Sequence, residues 1–503
     1  VTAANGNVSL ATPGSVLDTA DADAEVTANG LRVVAGKGFG LLAGNSLAQA
    51  VNAIETAVGT LSVLVRGSDG VNVLEADALL IGDVISLTDT TRSVSVRTVN
   101  ADGTTTTNTE NTQSDVVTTN VFGNNGSIVV RTVNGSLTLN TGTATGDLND
   151  AAIIAHGLGN VLLQAQGTGA NLTLNANADV QSTTGHLTLT AAQHLTFSGL
   201  ADVGTGGTGT VDLVAGTGSL VMADTATVQT QNGDIRIAAG DDVLDQLVLG
   251  FVWTVIGNVS LATPGSILDA GDAGLDVSAI GLRAVAGKGF GLLAGNSLGR
   301  PVDAIETFVT NLSILVRGSD GVNVLEADAL AIGDVFSLTD NGRSVSVRTV
   351  NADGTTTVNG EATQSDVITT NLNGDNGSIV VRTVNGSLTL NEGTATDDLD
   401  NDAAVVAHGT GNLLLQAAGA GTFLTLNVNA DVQSTGGHVT LAAPAGVVLG
   451  AGVDVSTGGS GSVDLSGGSG SLVMTDTTTV STVNGDIRMS AGDDVLDQIV
   501  LGD

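Results

Sequence analysis

The chain has 503 residues, with 15 basic against 51 acidic and a formal net charge of −36. That balance excludes a nucleic-acid binder, which needs a basic stripe to displace counterions, and argues against an anionic membrane surface as partner; without cysteine there is neither a disulfide nor a thiolate metal site. Aromatic residues are 2% and glycines number 70, so any core must be thin and aliphatic, while 42% hydrophobic content argues against disorder.

Along the chain, glycine followed by alternating apolar residues recurs. Coil starts fall near Gly6, Gly30, Gly59, Arg92, Gly126, Gly159, Gly185, Gly209 and Gly233 in the first half. From Gly185 the step is regular: Gly209, Gly233, Gly257 and Gly281 each follow 24 residues after the last, opening GTVDL, GDIRI, GNVSL and GLRAV. Alternation puts every second side chain on one face of a strand. Val211, Leu213, Ile235 and Ile237 are therefore expected inside, with Asp212 and Arg236 toward water. So short a strand needs a stacked copy of itself above and below, which is the logic of a solenoid. Glycine at each start is expected to supply a permissive backbone at a tight corner. The predicted fold is all-β: a parallel β-helix, or β-solenoid, of about 24 residues per coil with loop excursions.

Three stretches break the period. Residues 41–58 admit a short helical turn, 68–91 carry their own strands, and 99–125 are Thr/Asn-rich and polar. Excursions from a regular scaffold form surface loops, so partner contacts are expected there.

A long repeat overlies the short one. GNVSLATPGSVLD at Gly6 returns as GNVSLATPGSILD at Gly257, and RSVSVRTVNADGTTT at Arg92 returns at Arg343, both 251 residues later. One extra residue in DDLDNDAAV makes the later offset 252. The chain divides into copies 1–251 and 252–503, and the short period crosses that boundary without a linker. The expectation is two tandem copies in one continuous rod, a window from a longer array. No apolar run approaches the length of a membrane span.

The acidic cluster Asp18, Asp21, Asp23 and Glu25, with Asp269, Asp272 and Asp276 in the second copy, offers hard oxygen donors and makes calcium the candidate cation. Its spacing is not that of an EF-hand, and the alternative is a solvated acidic turn. Asp241, Asp242 and Asp245, and their counterparts Asp493, Asp494 and Asp497, are the nearest approach to a carboxylate pair for acid–base chemistry. They lack a cleft partner nearby in sequence. GTGGTG at Gly204 has no following helix, GNSLG at Gly295 has no strand–turn–helix context, and in GGTGTVDLV Asp212 stands one place late for a calcium nonapeptide. The five histidines form neither a metal pair nor a triad. No enzyme is expected.

The strings GSIVVRTVNGSLTLN, GNVLLQAQGTGANLTLNANADV and GDIRIAAGDDVL resemble the repeat regions of filamentous-haemagglutinin-type adhesins and related giant bacterial surface proteins. The resemblance implies a right-handed parallel β-helix, secretion to the bacterial cell surface, and a rod or fibre role. No functional residue carries over from it. The expected function is a structural segment of a secreted acidic fibre or adhesin stalk that self-associates or continues a longer array. The alternatives are an adhesin module binding glycan or protein through its Thr/Asn-rich loops and, further off, a polysaccharide-cleaving β-helix enzyme.

Overall fold

A computed structural model describes residues 1–119, 126–143, 151–340, 342–370, 377–394 and 403–502. Among them every regular element is a strand, and none forms a helix long and apolar enough to cross a membrane. The chain separates into two compact units, Val1–Gly233 with Val347–Asn359, and Asp234–Ser346 with Gly360–Asp503.

In the first unit the strands form three parallel ladders. One runs Gly70–Glu75, Ile128–Thr132, Val161–Ala165, Leu187–Ala191 and Val211–Ala215, each pairing with the next. A second runs Leu79–Ile81, Leu137–Leu139, Leu172–Leu174, Leu195–Phe197 and Leu220–Met222. The third runs Val116–Thr118, Ile153–Ala155, Val180–Ser182, Asp202–Thr205 and Thr227–Thr230. Each turn of chain thus contributes one short strand to each face, consistent with a β-solenoid. Ahead of these lie three long strands in parallel: Thr2–Thr12, Val26–Ala35 and Ile54–Val65. The second unit repeats the scheme, for example in Gly321–Glu326, Ile379–Thr383, Leu413–Ala417, Val439–Ala442 and Val463–Ser466.

Register keeps like over like. Leu187 and Leu189 pair with Val211 and Leu213, and all four are fully buried, as are Ile235 and Ile237. The largest fully buried side chains are Phe39, Phe197 and Phe290, and leucine and isoleucine fill the rest of that group. The core is therefore the thin aliphatic column that the composition requires.

At the corners, Gly185, Gly209 and Gly233 do not need a left-handed backbone. They need the absence of a side chain. A Cβ on Gly209 would stand 2.3 Å from the Gly185 carbonyl oxygen, and one on Gly233 would stand 1.9 Å from that of Gly209. The carbonyls of Gly185 and Gly159 are capped from inside: Thr205 Oγ1 donates to Gly185 O at 2.6 Å, and Ser182 Oγ to Gly159 O at 2.7 Å.

Several expectations are corrected. Residues 41–58 hold turns and the start of strand Ile54–Val65, with no helical turn. Arg92 does not open a coil. It begins an antiparallel hairpin, Arg92–Val99 against Thr105–Asn111, outside the parallel ladders, and the ladder passes instead through Gly70–Glu75. Part of the polar stretch 99–125 is therefore strand, and residues 120–125 of it lie outside the described residues. The same hairpin recurs as Arg343–Val350 with Thr356–Ala362. Asp212 faces away from the core yet is fully buried, because Thr349 Oγ1 of that second hairpin donates to it; Arg236 is half-buried for a related reason, lying 3.5 Å from Glu361.

Candidate metal centre

The acidic clusters gather where loops meet the ends of strands on neighbouring coils. In the first unit Val26 pairs with Thr56, which sets Glu25 beside Glu55 on the next coil; the Glu55 N–H donates to Glu25 Oε2 at 2.8 Å. Asp18 arrives from the preceding turn, and one oxygen from each of Asp18, Glu25 and Glu55 lies within 4.8 Å of the others. In the second unit Val277 pairs with Thr307, and the Glu306 N–H donates to Asp276 Oδ2 at 2.8 Å. Asp269 ends the strand Ser266–Asp269 and its carboxyl lies against those of Asp276 and Asp303, without the three-way approach within 4.8 Å that the first centre has.

One position distinguishes the two. Asn52 donates from Nδ2 to Asp18 Oδ2 at 2.7 Å. Its counterpart is Asp303, so the second centre has four carboxyl groups and loses the amide donor. The electrostatics follow. Burial alone would raise Asp18, but the Asn52 amide and the Ala20 N–H hold its carboxyl below the usual range. Burial, aided by Asp18, pushes Glu25 up to about 7, and burial also raises Glu55. In the second centre burial pushes Asp276 up to about 10, with the charge of Asp269 adding to it. Glu306 rises to about 7, through burial and then Asp269, and Asp303 is raised for the same two reasons.

Asp269 and Asp276 are each only 4% exposed. Asp269 Oδ2 and Glu306 Oε2 are buried and receive no N–H or O–H donor, and the same holds for Asp18 Oδ1 and Glu55 Oε2. Buried lone pairs without donors are costly unless a shared proton or a cation fills them. Oxygen-only donors at this spacing suit a hard divalent cation such as calcium. Compared with family models, curated proteins and solved structures, the chain matches none. The reading of these centres therefore rests on their own chemistry.

The structure brings together Asp18 with Glu25, and Asp269 with Asp276. Asp21, Asp23 and Asp272 stay outside: they are exposed, and they build the turn itself. Asp21 accepts from Thr19 Oγ1 and the Asp23 N–H, and Asp272 from the Gly274 N–H. Glu55, Asp303 and Glu306 were not legible beforehand, since each lies about thirty residues on, across a coil whose length no local pattern gives.

The remaining clusters have structural partners. Asp245 Oδ2 accepts the N–H groups of Asp241 and Asp242, and Asp242 Oδ1 accepts that of Leu244, so two of the three carboxylates close a turn. Asp493, Asp494 and Asp497 repeat it. His186, His194 and His438 each accept on Nδ1 the N–H of a residue on the next coil, Thr210, Ser219 and Ser462. Burial, with Arg348 nearby, lowers His186 to about 4, leaving it neutral.

Proposed function

We propose that this chain is a structural segment of a secreted, acidic β-helical fibre or adhesin stalk on a bacterial surface. Its coils stack with right-handed sense into one rod of two tandem copies, about 24 residues per coil. The observation that carries this reading is the series of parallel pairs within each unit, which gives the interior strands of each ladder a backbone partner on both sides and favours a stiff spacer. The resemblance to filamentous-haemagglutinin-type repeats supports the surface location. The acidic exterior keeps neighbouring rods apart, and the carboxylate centres take divalent cations that tie successive coils together. Oriented native material is expected to diffract with a meridional spacing of about 4.8 Å along the long axis, and electron micrographs to show filaments. Discrete compact particles without that reflection would end the proposal.

A second reading, glycan binding, is supported at another place than the Thr/Asn-rich loops. In a chain with 2% aromatic residues, Phe251 and Trp253 stack at 6.4 Å. Trp253 also lines an open cavity of about 360 Å³ with Phe308 and Asp328, and Phe308 is 46% exposed. An exposed ring beside a carboxylate is the usual platform for a sugar face and its hydroxyls. Saccharides that bind should quench Trp253 fluorescence, and Phe308→Ala should weaken that binding about tenfold, the loss of roughly 1.4 kcal/mol. Unchanged fluorescence across neutral and acidic saccharides would remove this reading.

A further inference from the structure

A chain with 51 acidic residues and 15 basic ones sets two arginines on one small pocket, and does so once in each unit. In the first unit the floor is an outward column of Ala11, Val34, Leu64 and Val117, aliphatic residues in register on successive parallel strands. Arg32 stands two residues before Val34, so strand alternation turns it to the same face. Arg66 follows Leu64 by two and leaves the end of its strand at the other side of the pocket. Residues 110–114 cross over as a wall, which is pinned from below. Gln113 Nε2 donates to Val33 O at 2.9 Å, and Ser62 Oγ to Ser114 O at 2.7 Å. The cavity so formed is about 400 Å³ and opens to solvent.

The second unit builds the same pocket. Ala262, Val285, Leu315 and Ile368 form the column. Arg283 and Arg317 are the pair, and Gln364 and Ser313 pin the wall at 3.1 and 2.7 Å. Its cavity is about 290 Å³.

The two arginines of a pair differ. Arg32 Nη1 donates to Ser9 Oγ at 3.1 Å and lies 3.4 Å from Glu110, with a side chain 12% exposed. Arg66 is exposed, and among the described residues its guanidinium has neither an ion pair nor a hydrogen bond. Nearby Asp69 is taken: it accepts from the Ser46 N–H and Oγ, both at 2.8 Å. Burial lowers Arg32, Glu110 offsets part of that, and the Arg66 charge lowers it further, so the two guanidinium groups feel one another. Arg317 repeats Arg66: it is exposed, and Asp320 is held by Ser297 at 2.7 Å. Glu361 lies 3.5 Å from both Arg236 and Arg283. Each pocket thus keeps net positive charge in a strongly acidic chain.

We propose that each pocket binds a small organic carboxylate, its head on Arg66 or Arg317 and its aliphatic body on the column beneath. A guanidinium offers a carboxylate two parallel N–H groups, and the surplus positive charge is met by one anion. An inorganic anion leaves the floor wet, whereas a short alkyl body covers it. The pinned wall forms the site before the ligand arrives. The site needs no fibre, being complete within each unit.

The test is isothermal titration calorimetry of the full chain at fixed low ionic strength, with acetate, butanoate and hexanoate as probes and sulfate and hexylamine as controls. Hexanoate should fill two sites per chain, and affinity should rise about fourfold per methylene from acetate to butanoate. Arg66→Met and Arg317→Met should each remove one site and together both, with unchanged circular dichroism, since neither guanidinium holds part of the fold. Arg66→Lys, which keeps the charge without the fork, should retain its site about tenfold weaker. Arg97→Met removes the same charge from an exposed position outside the pocket and should leave both sites intact. Sulfate or hexylamine bound as tightly as hexanoate would overturn the assigned ligand class. Hexanoate bound equally well by R66M/R317M would overturn the assigned place, and the lack of any saturable heat would overturn the site itself.

Discussion

Gly233→Ala is expected to destabilise the first unit by about 3 kcal/mol, at the upper end of what overpacking a tight site costs. The added methyl group would lie 1.9 Å from the carbonyl oxygen of Gly209 and 2.7 Å from its carbonyl carbon. Both are backbone atoms, so no side chain can swing away to make room. Relief requires the turn to lift off its neighbour, which strains the strands Thr227–Thr230 and Ile235–Ala239 on either side of it. Gly6→Ala provides the control. In sequence Gly6 opens a coil as Gly233 does, but the nearest atom to its Cβ is 3.8 Å away and that substitution should be neutral. The measurement is the urea midpoint, with hydrogen exchange to locate the loss, because a stacked array opens by neighbouring repeats rather than as a whole. Equal midpoints for the two variants would show that glycine serves these corners by some property other than its small size.

Calcium should raise the melting temperature at pH 8 and have almost no effect at pH 5. Folding lifts the carboxyl groups of Glu25 and Glu306 to about 7 and that of Asp276 to about 10. A carboxyl raised in the folded state contributes its full stability below the unfolded value and loses it as pH climbs through the folded one. These raised groups therefore favour the folded metal-free protein most in acid, and their contribution falls from about pH 4 upward, while the lowered Asp18 carboxyl acts in the opposite sense. A divalent cation competes with those protons, so it restores stability only where they have left. The charges facing Asp276 are Asp269 and Glu306, and those facing Asp303 include Arg300 and Asp272. Asp276→Asn should stabilise the metal-free protein at pH 8 and reduce the calcium increment. Asp303→Asn should make the second centre behave like the first, where Asn52 already supplies the amide. Part of the alkaline loss will persist with calcium. Burial also lifts Glu75 and Glu326 to about 7; both are fully buried and accept from Thr56 Oγ1 and Thr307 Oγ1 at 2.7 Å, beyond reach of an ion from solvent. A calcium increment of equal size at pH 5 and pH 8 would dismiss these centres as its source.

What could be read from the residue order alone was whatever repeats at short range. Alternation gave the inward Val211, Leu213, Ile235 and Ile237, because a strand's two faces are set by its own period of two. The spacing of glycines gave the stacking, and the lack of large side chains gave the thin core. The acidic turn residues were visible as a group, but only Asp18, Glu25, Asp269 and Asp276 converge. Their partners Glu55, Asp303 and Glu306 come from the next coil, whose register depends on how much chain the intervening loop consumes. Arg92 looked like another coil start because its strand alternates as the others do. Whether such a strand joins the ladder or turns back on itself is decided by which edge is vacant when it arrives, and Gly70–Glu75 already fills that place. The burial of Asp212 was likewise invisible: an outward residue is buried only when something covers it, and its cover, Thr349, lies 137 residues away. Local periodicity fixes which way a side chain points, and only the packed structure fixes what meets it.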